Sequence, residues 1–355
     1  MLELDFYRGK RVLVTGHTGF KGSWLCHILK GAGAVVTGYS TCPPTTPSLF
    51  ELAGVDDGMV SVIGDVRDMG ALRACFEAAC PEIVLHLAAQ PIVKESYEQP
   101  RYTYETNVMG TVNVLECIRL CESVRSFVNV TTDKVYKNYE WEWGYRESDV
   151  LDGFDPYSNS KSCSELVTHS YKDSFFGDGR VAISTARAGN VIGGGDLARH
   201  RIIPDCVRAA LSGEEIAVRS PFSVRPYQHV LEPVLVYLYI AAAQYEDGGK
   251  AGCYNVGPDD GDCLTTGALV DTFCRAWGEG VSWVSRCDGG PHEASFLKLD
   301  CSRLKSVLGW SPVWSLERAM AAVVEWTKAM RDGADLREVM DKQIESFVAD
   351  AAWIK

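Results

Sequence analysis

Residues 11–22 read RVLVTGHTGFKG, and the reading of that stretch decides the fold. RVLV is a short apolar run with β-branched residues, which predicts a buried strand. It runs into Gly16, Gly19 and Gly22, a G-x-x-G-x-x-G spacing. SWLCHILKGAG (23–33) then shows apolar residues at helical spacing and a glycine stop. Glycines between a first strand and a first helix let the backbone turn tightly and approach a pyrophosphate. The helix amino end adds free N–H groups and a positive dipole. Three glycines alone describe any tight turn, so it is their place at the first strand-to-helix junction that carries weight.

The same alternation continues outward. AVVTGYS (34–40), MVSVIGDV (59–66), EIVLHLAA (82–89), SFVNVTT (126–132) and RVAISTARAGNV (180–191) read as strands. MGALRACFEAA (69–79), NVMGTVNVLECIRLC (107–121) and SNSKSCSELVTHSYKDSF (158–175) read as the helices between them. Strand and helix in turn predict an α/β fold with a doubly wound parallel sheet. The regular alternation weakens after the glycine-rich stretch at 193–195, although LERAMAAVVEWTKAM (316–330) is an amphipathic helix. The expected division is a Rossmann-like dinucleotide-binding domain over 1–190, with a returning segment near 229–258. Residues 191–355 are expected to form mainly a second, smaller mixed α/β lobe for a substrate.

The chain has 355 residues, 46% hydrophobic and 23% charged, with a net charge of −12. That acidity argues against nucleic acid as a partner, since a phosphate-binding surface needs a basic excess; local arginines would suffice for a small phosphorylated substrate. No apolar run approaches the ~20 residues that span a bilayer, so no membrane association is expected and VLVYLYIAAA (234–243) reads as a core helix. MLELDFYRGK at the start lacks a basic region followed by an apolar stretch, and a cytoplasmic protein is the default expectation. The 13 cysteines are scattered with no Cys-x-x-Cys pair. They are expected to be reduced and mostly buried, and no metal is expected.

Several residues carry candidate chemistry. Lys21, in the glycine loop with Thr18 and Phe20, reads equally as a phosphate contact or a solvated lysine. Ser40 and Thr41 end the second strand without the acid usual for NAD or an arginine suited to NADP, which leaves the two cofactors open at that position. Asp65, after the third strand, could accept from an adenine amine while Val66 packs on the ring. Tyr157 and Lys161 stand four apart at a helix start and share a face, and a nearby ammonium favours a phenolate base. TTDKVY (131–136) sets two hydroxyls, a carboxylate and an amine at a strand end, where open α/β sheets bind ligands.

In that order, Gly16/Gly19/Gly22, Asp65-Val66, HLAA (86–89), TNVMGT (106–111), Thr132 and Tyr157/Lys161 resemble the extended short-chain dehydrogenase/reductase superfamily. The resemblance implies NAD as cofactor, held by the first loop, Asp65, Val66, Leu87, Ala88, Ala89 and Asn107, and hydride-transfer chemistry by Thr132, Tyr157 and Lys161. A plain reductase or epimerase of the superfamily needs no acid–base pair after Thr132, whereas a dehydratase does. With HTGFKGSWL (17–25), RAGNVIGGGD (187–196) and RPYQHVLEP (225–233), Asp133 and Lys134 make the whole chain similar to the sugar-nucleotide 4,6-dehydratases. The version with lysine at this place implies a CDP-sugar substrate, feeding deoxysugar synthesis for surface polysaccharides. Another sugar nucleotide, or an epimerase, is the alternative. Leu197 and Tyr227 depart from the tryptophans expected there, both on the substrate side.

The resemblance further implies that Lys134 removes a proton from carbon 5 while Asp133, protonated, donates to the departing 6-hydroxyl, so the pair needs an environment that favours neutral acid and free amine. Asn190, Arg201 and Arg225 match substrate positions, though each arginine also reads as a salt-bridge partner. His229 reads equally as a core histidine or a ligand contact, and Gln90 lies near the expected sugar. A homodimer or homotetramer is implied, formed through helices of the first domain.

Overall fold

The structure, a computed structural model, describes residues 1–286 and 296–355. Twelve strands are found among them: β1 (Arg11–Thr15), β2 (Val35–Ser40), β3 (Val60–Ile63), β4 (Ile83–His86), β5 (Ser126–Thr132), β6 (Ala182–Ala188), β7 (Asn190–Ile192), β8 (Ile216–Val218), β9 (Val224–His229), β10 (Cys253–Val256), β11 (Cys263–Thr265) and β12 (Trp283–Ser285). Seven form one sheet in the order β10-β6-β5-β4-β1-β2-β3, and every pairing in it is parallel. Strands buried on both faces need near-continuous apolar or small residues; β4 and β5 are buried at every position, whereas β3, at the sheet edge, is largely exposed. Strand order reverses between β1 and β4, which opens the ligand crevice at their carboxyl ends.

The helix Leu231–Glu246 is buried from Leu231 to Gln244, as a core helix should be. It is fastened across the sheet by Ser126 Oγ donating to Ala241 O (2.9 Å) and by Gln244 Nε2 donating to Phe127 O (3.0 Å). β10 follows it and pairs with β6, so the segment near 229–258 returns to the large sheet. The smaller lobe holds a three-stranded sheet, β11-β9-β7, and a β8–β12 pair, around a core that includes Ile203, Tyr227, Phe273 and Met320. The C-terminal helix Leu336–Asp350 packs on the first lobe, where Met340 and Phe347 share a cluster with Val12 and Trp24.

Three expectations needed correction. The strand expected over 180–191 is two strands in different sheets. A Cβ on Gly189 would lie 2.8 Å from Pro226 O, and the chain passes from β6 to β7 at this close crossing; Gly189-Asn190 is the only signal of it in the run VAISTARAGNVI. The helix expected over 107–121 starts at Pro100 and contains a π-helical turn, Glu105–Met109, before Gly110–Leu120. The cysteines are unpaired among the described residues but not mostly buried: Cys42 and Cys80 are exposed, and Cys121, Cys163, Cys253, Cys263 and Cys274 are half-buried. Cys287 lies outside the described residues.

Candidate active site

The glycine loop is built by contact. Gly16 sits at φ +78°, and a Cβ there would lie 2.7 Å from Ala88 N; one on Gly22 would lie 2.1 Å from Gly16 O. No larger residue fits at either place, so the loops after β1 and β4 touch and the helix Phe20–Gly31 starts directly over the loop. Gly19 caps that helix without a side chain, which leaves its first N–H groups for an anion. Thr18 Oγ1 ties the loop to the end of β2, 2.9 Å from Ser40 Oγ and 3.0 Å from Thr41 O. His17, passed over in the sequence, is buried edge-on to Phe50 at 5.2 Å, with Nε2 2.7 Å from Ser61 Oγ. Burial lowers its pKa to about 4, so it serves as a neutral strut.

A cavity of about 570 Å³ opens here, lined by Gly16, Thr18, Gly19, Phe20, Lys21 and Gly22, by Asp65 and Val66, by Leu87, Ala88 and Ala89, and by Tyr157 and Lys161. An elongated cradle with uncapped helix N–H groups suits a dinucleotide diphosphate. Asp65 is already engaged: its carboxylate accepts from Arg67 Nε (3.0 Å) and from the other guanidinium nitrogen (2.7 Å), which holds it below the usual carboxylate range. A second cavity, of about 560 Å³, is lined by Thr132, Lys134, Asn190, Arg225 and Tyr227 among others, and shares Phe20, Lys21, Thr131, Tyr157, Asp196 and Arg201 with the first. Its wall also carries Lys94, His200 and Arg219, a local basic excess in an acidic chain that matches a diphosphate ester. The sequence reading missed these three. Lys94 could have been found from its place just beyond β4, whereas Arg219 lies in the lobe where alternation had faded.

At the end of β5, Thr132 Oγ1 donates to Asp133 Oδ1 (2.9 Å) and accepts from Lys134 N at 3.4 Å. Asp133 is 1% exposed, and its Oδ2 is buried with no partner. Burial raises its pKa, against the opposing pull of Lys134, the Thr132 hydrogen bond, Arg225 and Lys21. Asp133 lines neither cavity; its neighbours Thr132 and Lys134 line the second.

Tyr157 behaves differently from the expected phenolate. Burial pushes its phenol up to about 12, while the Thr132 hydroxyl and the Arg201 charge pull it down. Lys161, which donates to Val130 O at 3.1 Å, is lowered to about 7 by burial and by Lys21, with Glu165 opposing. Both line the first cavity, as the spacing suggests, but burial, invisible in the spacing, sets the direction of both shifts. Lys21 is likewise lowered to about 8, by burial and then Arg201, with Asp133 and Asp196 opposing. It stands between the two cavities and not on the solvated loop surface.

Three other residues turn away from the cavities. Asn107, in the π-helical turn, accepts from Gln90 N (2.8 Å) and donates to Gln90 O (3.1 Å) and Ser160 Oγ (2.9 Å). Gln90 spends its own amide on Ile92, donating to its carbonyl (3.1 Å) and accepting from its N–H (2.8 Å). The two are struts of the loop after β4. His229 is fully buried between Trp24 and Trp314, with Nδ1 accepting from Leu231 N (3.3 Å); burial and the Arg318 charge lower it to about 3, so of the two readings it is the core histidine. Arg201 bonds Asp196 at 3.0 Å, the salt-bridge reading, and also lines both cavities.

Comparison with known proteins agrees with this architecture. Residues 12–257 match the model of the NAD dependent epimerase/dehydratase family. A CDP-glucose 4,6-dehydratase of Salmonella typhimurium is 46% identical over 98% of this chain and 99% of its own. Among solved structures, the UDP-glucose 4-epimerase of Thermotoga maritima with UDP-glucose superposes with a TM-score of 0.79 at 21% identity, covering 90% of this chain and 99% of that one. The dTDP-glucose 4,6-dehydratase of Bacillus anthracis in complex with NAD gives 0.76 at 20% identity, over 93% and 100%; at such identities the likeness is one of fold. On the matched sequence and the glycine cradle together, the chain belongs to the NAD dependent epimerase/dehydratase family, with NAD as its cofactor.

Proposed function

We propose that the chain removes water from a nucleoside-diphosphate hexose, converting CDP-D-glucose to CDP-4-keto-6-deoxy-D-glucose. The observation that carries this reading is the Thr132-Asp133-Lys134 turn at the end of β5, where a carboxyl whose pKa burial raises adjoins an amine on the substrate cavity. The likeness to a CDP-glucose 4,6-dehydratase over nearly the full length supports both the reaction and the CDP sugar. An epimerase has no use for such a pair.

NAD, when bound, supplies removal of hydride from carbon 4 and its return at carbon 6. This step needs the Tyr157 phenol ionised, against the burial that raises it; as phenolate it takes the proton of the 4-hydroxyl, with Thr132 hydrogen-bonded to that hydroxyl oxygen. Lys161 holds the cofactor side of the site. The resulting 4-ketone makes the hydrogen on carbon 5 acidic, and Lys134 removes it. Asp133 donates from Oδ2 to the 6-hydroxyl, which leaves as water; each such proton transfer is worth ~10²–10⁴ in rate. Arg201, Arg225 and Asn190 bind the diphosphate side, and 191–355 is mainly the substrate lobe in this reading.

The same proposal includes a homodimer or homotetramer, supported by the exposed apolar Met109, Leu120, Leu166 and Phe175 on the helices of the first lobe. It also includes a cytoplasmic setting, supported by the unpaired cysteines among the described residues; no helix there is long and apolar enough to cross a membrane. Incubation with CDP-, dTDP-, UDP- and GDP-glucose tests the substrate. A 4-keto-6-deoxy product from the CDP sugar alone is expected, and product from another nucleotide alone would overturn the CDP assignment.

A further inference from the structure

Away from both cavities, where the last strand of the large sheet meets the helix Pro156–Phe175, three reactive side chains converge. Cys253, first in β10, has Sγ 3.1 Å from His169 Nε2, and the same ring nitrogen lies 3.5 Å from Glu165 Oε2. The three ligating atoms fall within 4.8 Å of one another. A divalent cation is disfavoured there, because Arg187 donates to both Glu165 oxygens at 3.0 Å and brings its own positive charge. What the arrangement favours is an anion at sulfur: an imidazole nitrogen faces it at 3.1 Å, able to donate when protonated, and the Arg187 guanidinium acts on it as well. Cys253 and His169 are both partly exposed, Cys253 at the edge strand of the large sheet.

We propose that Cys253 is the chain's peroxide-reactive thiol, paired with His169, and that its oxidation slows turnover through Glu165. The Cys253 thiolate attacks one oxygen of a hydroperoxide, and the S–O bond forms as the O–O bond breaks. Sulfur gives up two electrons and becomes a sulfenic acid, the peroxide is reduced, and its departing hydroxide (or alkoxide) takes the proton from the His169 imidazolium. The charged and titratable groups that face this sulfur are His169 and Glu165 on the helix, Arg187 on β6 and Tyr254 beside it. Burial raises the Cys253 pKa, but the His169 hydrogen bond and Arg187 outweigh burial and Glu165, leaving it below an ordinary thiol; the Cys253 bond raises His169 in turn. The consequence reaches the active site because Glu165 Oε1 also accepts from Thr131 Oγ1 at 2.5 Å. Thr131 lines both cavities next to Thr132. An oxygen added at sulfur crowds His169 against Glu165 and loosens that hold.

The test treats the NAD-loaded full-length protein with limiting hydrogen peroxide at pH 6.5, traps sulfenic acid with dimedone and locates the adduct by peptide mass spectrometry. A lowered thiol gains about tenfold in thiolate for each unit but loses roughly threefold in nucleophilicity. Cys253 is therefore expected to label faster than the exposed Cys42 or Cys80, and His169→Gln to erase that lead. Activity of the wild type should fall with Cys253 labelling, while Cys253→Ser keeps its activity through the same treatment. Labelling led by Cys42 or Cys80, or equal inactivation of Cys253→Ser, overturns the proposal.

Discussion

Replacing Asp133 by asparagine separates its chemistry from its structural role. The amide oxygen of asparagine can still accept the 2.9 Å hydrogen bond from Thr132, so the turn after β5 is kept. What is lost is the ability of Oδ2, the buried atom with no partner, to carry and give up a proton. Loss of a general acid should lower water elimination by ~10²–10⁴, about 3–5 kcal/mol in barrier. Stability should move the other way. Burial raises the Asp133 pKa in the folded chain, so the native state binds more protons than the unfolded one, and stability falls as pH rises from the unfolded value of ~3.9 through the raised native value. The neutral amide of Asp133→Asn carries no such penalty, and the variant should melt above the wild type at pH 8, with the gap closing at acid pH. Product formation followed by mass loss of water, with thermal melts at both pH values, reads both effects. In a single turnover the variant should still oxidise carbon 4, and reduced nicotinamide absorbance should persist where the wild type shows none. Water elimination within about threefold of wild type, measured against that expected loss, would refute the role given to Asp133.

Three further outcomes follow from the geometry. Gly22→Ala places a Cβ 2.1 Å from Gly16 O; overpacking of this kind costs about 1–3 kcal/mol, and calorimetric titration should show weaker NAD binding together with a lower melting temperature. Arg225→Ala removes a guanidinium from the wall of the second cavity; loss of one charged hydrogen bond, about 1.5–3 kcal/mol, should raise KM for the CDP sugar roughly 10- to 100-fold with a smaller change in kcat. His229→Gln takes a fully buried ring from between Trp24 and Trp314; melting should fall while KM stays unchanged, and a raised KM would restore His229 as a substrate contact.

The sequence was most legible where chemistry depends on spacing along one element. The loop of Gly16, Gly19 and Gly22, the Tyr157/Lys161 pair and the TTDK turn all sit at strand-to-helix junctions that alternation alone locates, and all of these residues except Asp133 line two adjoining cavities. Side-chain direction was not legible. Asn107 turns toward Gln90 because a π-helical turn rotates it there, and nothing in NVMGTVN announces that turn. The charge state of Tyr157 depends on how deeply the packed lobes bury it, which no i, i+4 spacing reports. The passage from β6 to β7 at Gly189 was hidden because the residues on both sides suit a strand equally well.

The measurement that tests the dehydratase account most directly is the fate of the hydrogen on carbon 4. CDP-glucose carrying deuterium at carbon 4, turned over by the NAD-loaded protein beside unlabelled CDP-glucose of different mass, should give product with deuterium at carbon 6 of the same molecule. Carbon 5 should carry hydrogen from solvent, and no reduced nicotinamide should build up. Deuterium found at carbon 4, exchanged between the two sugars or accumulating in released cofactor would contradict it.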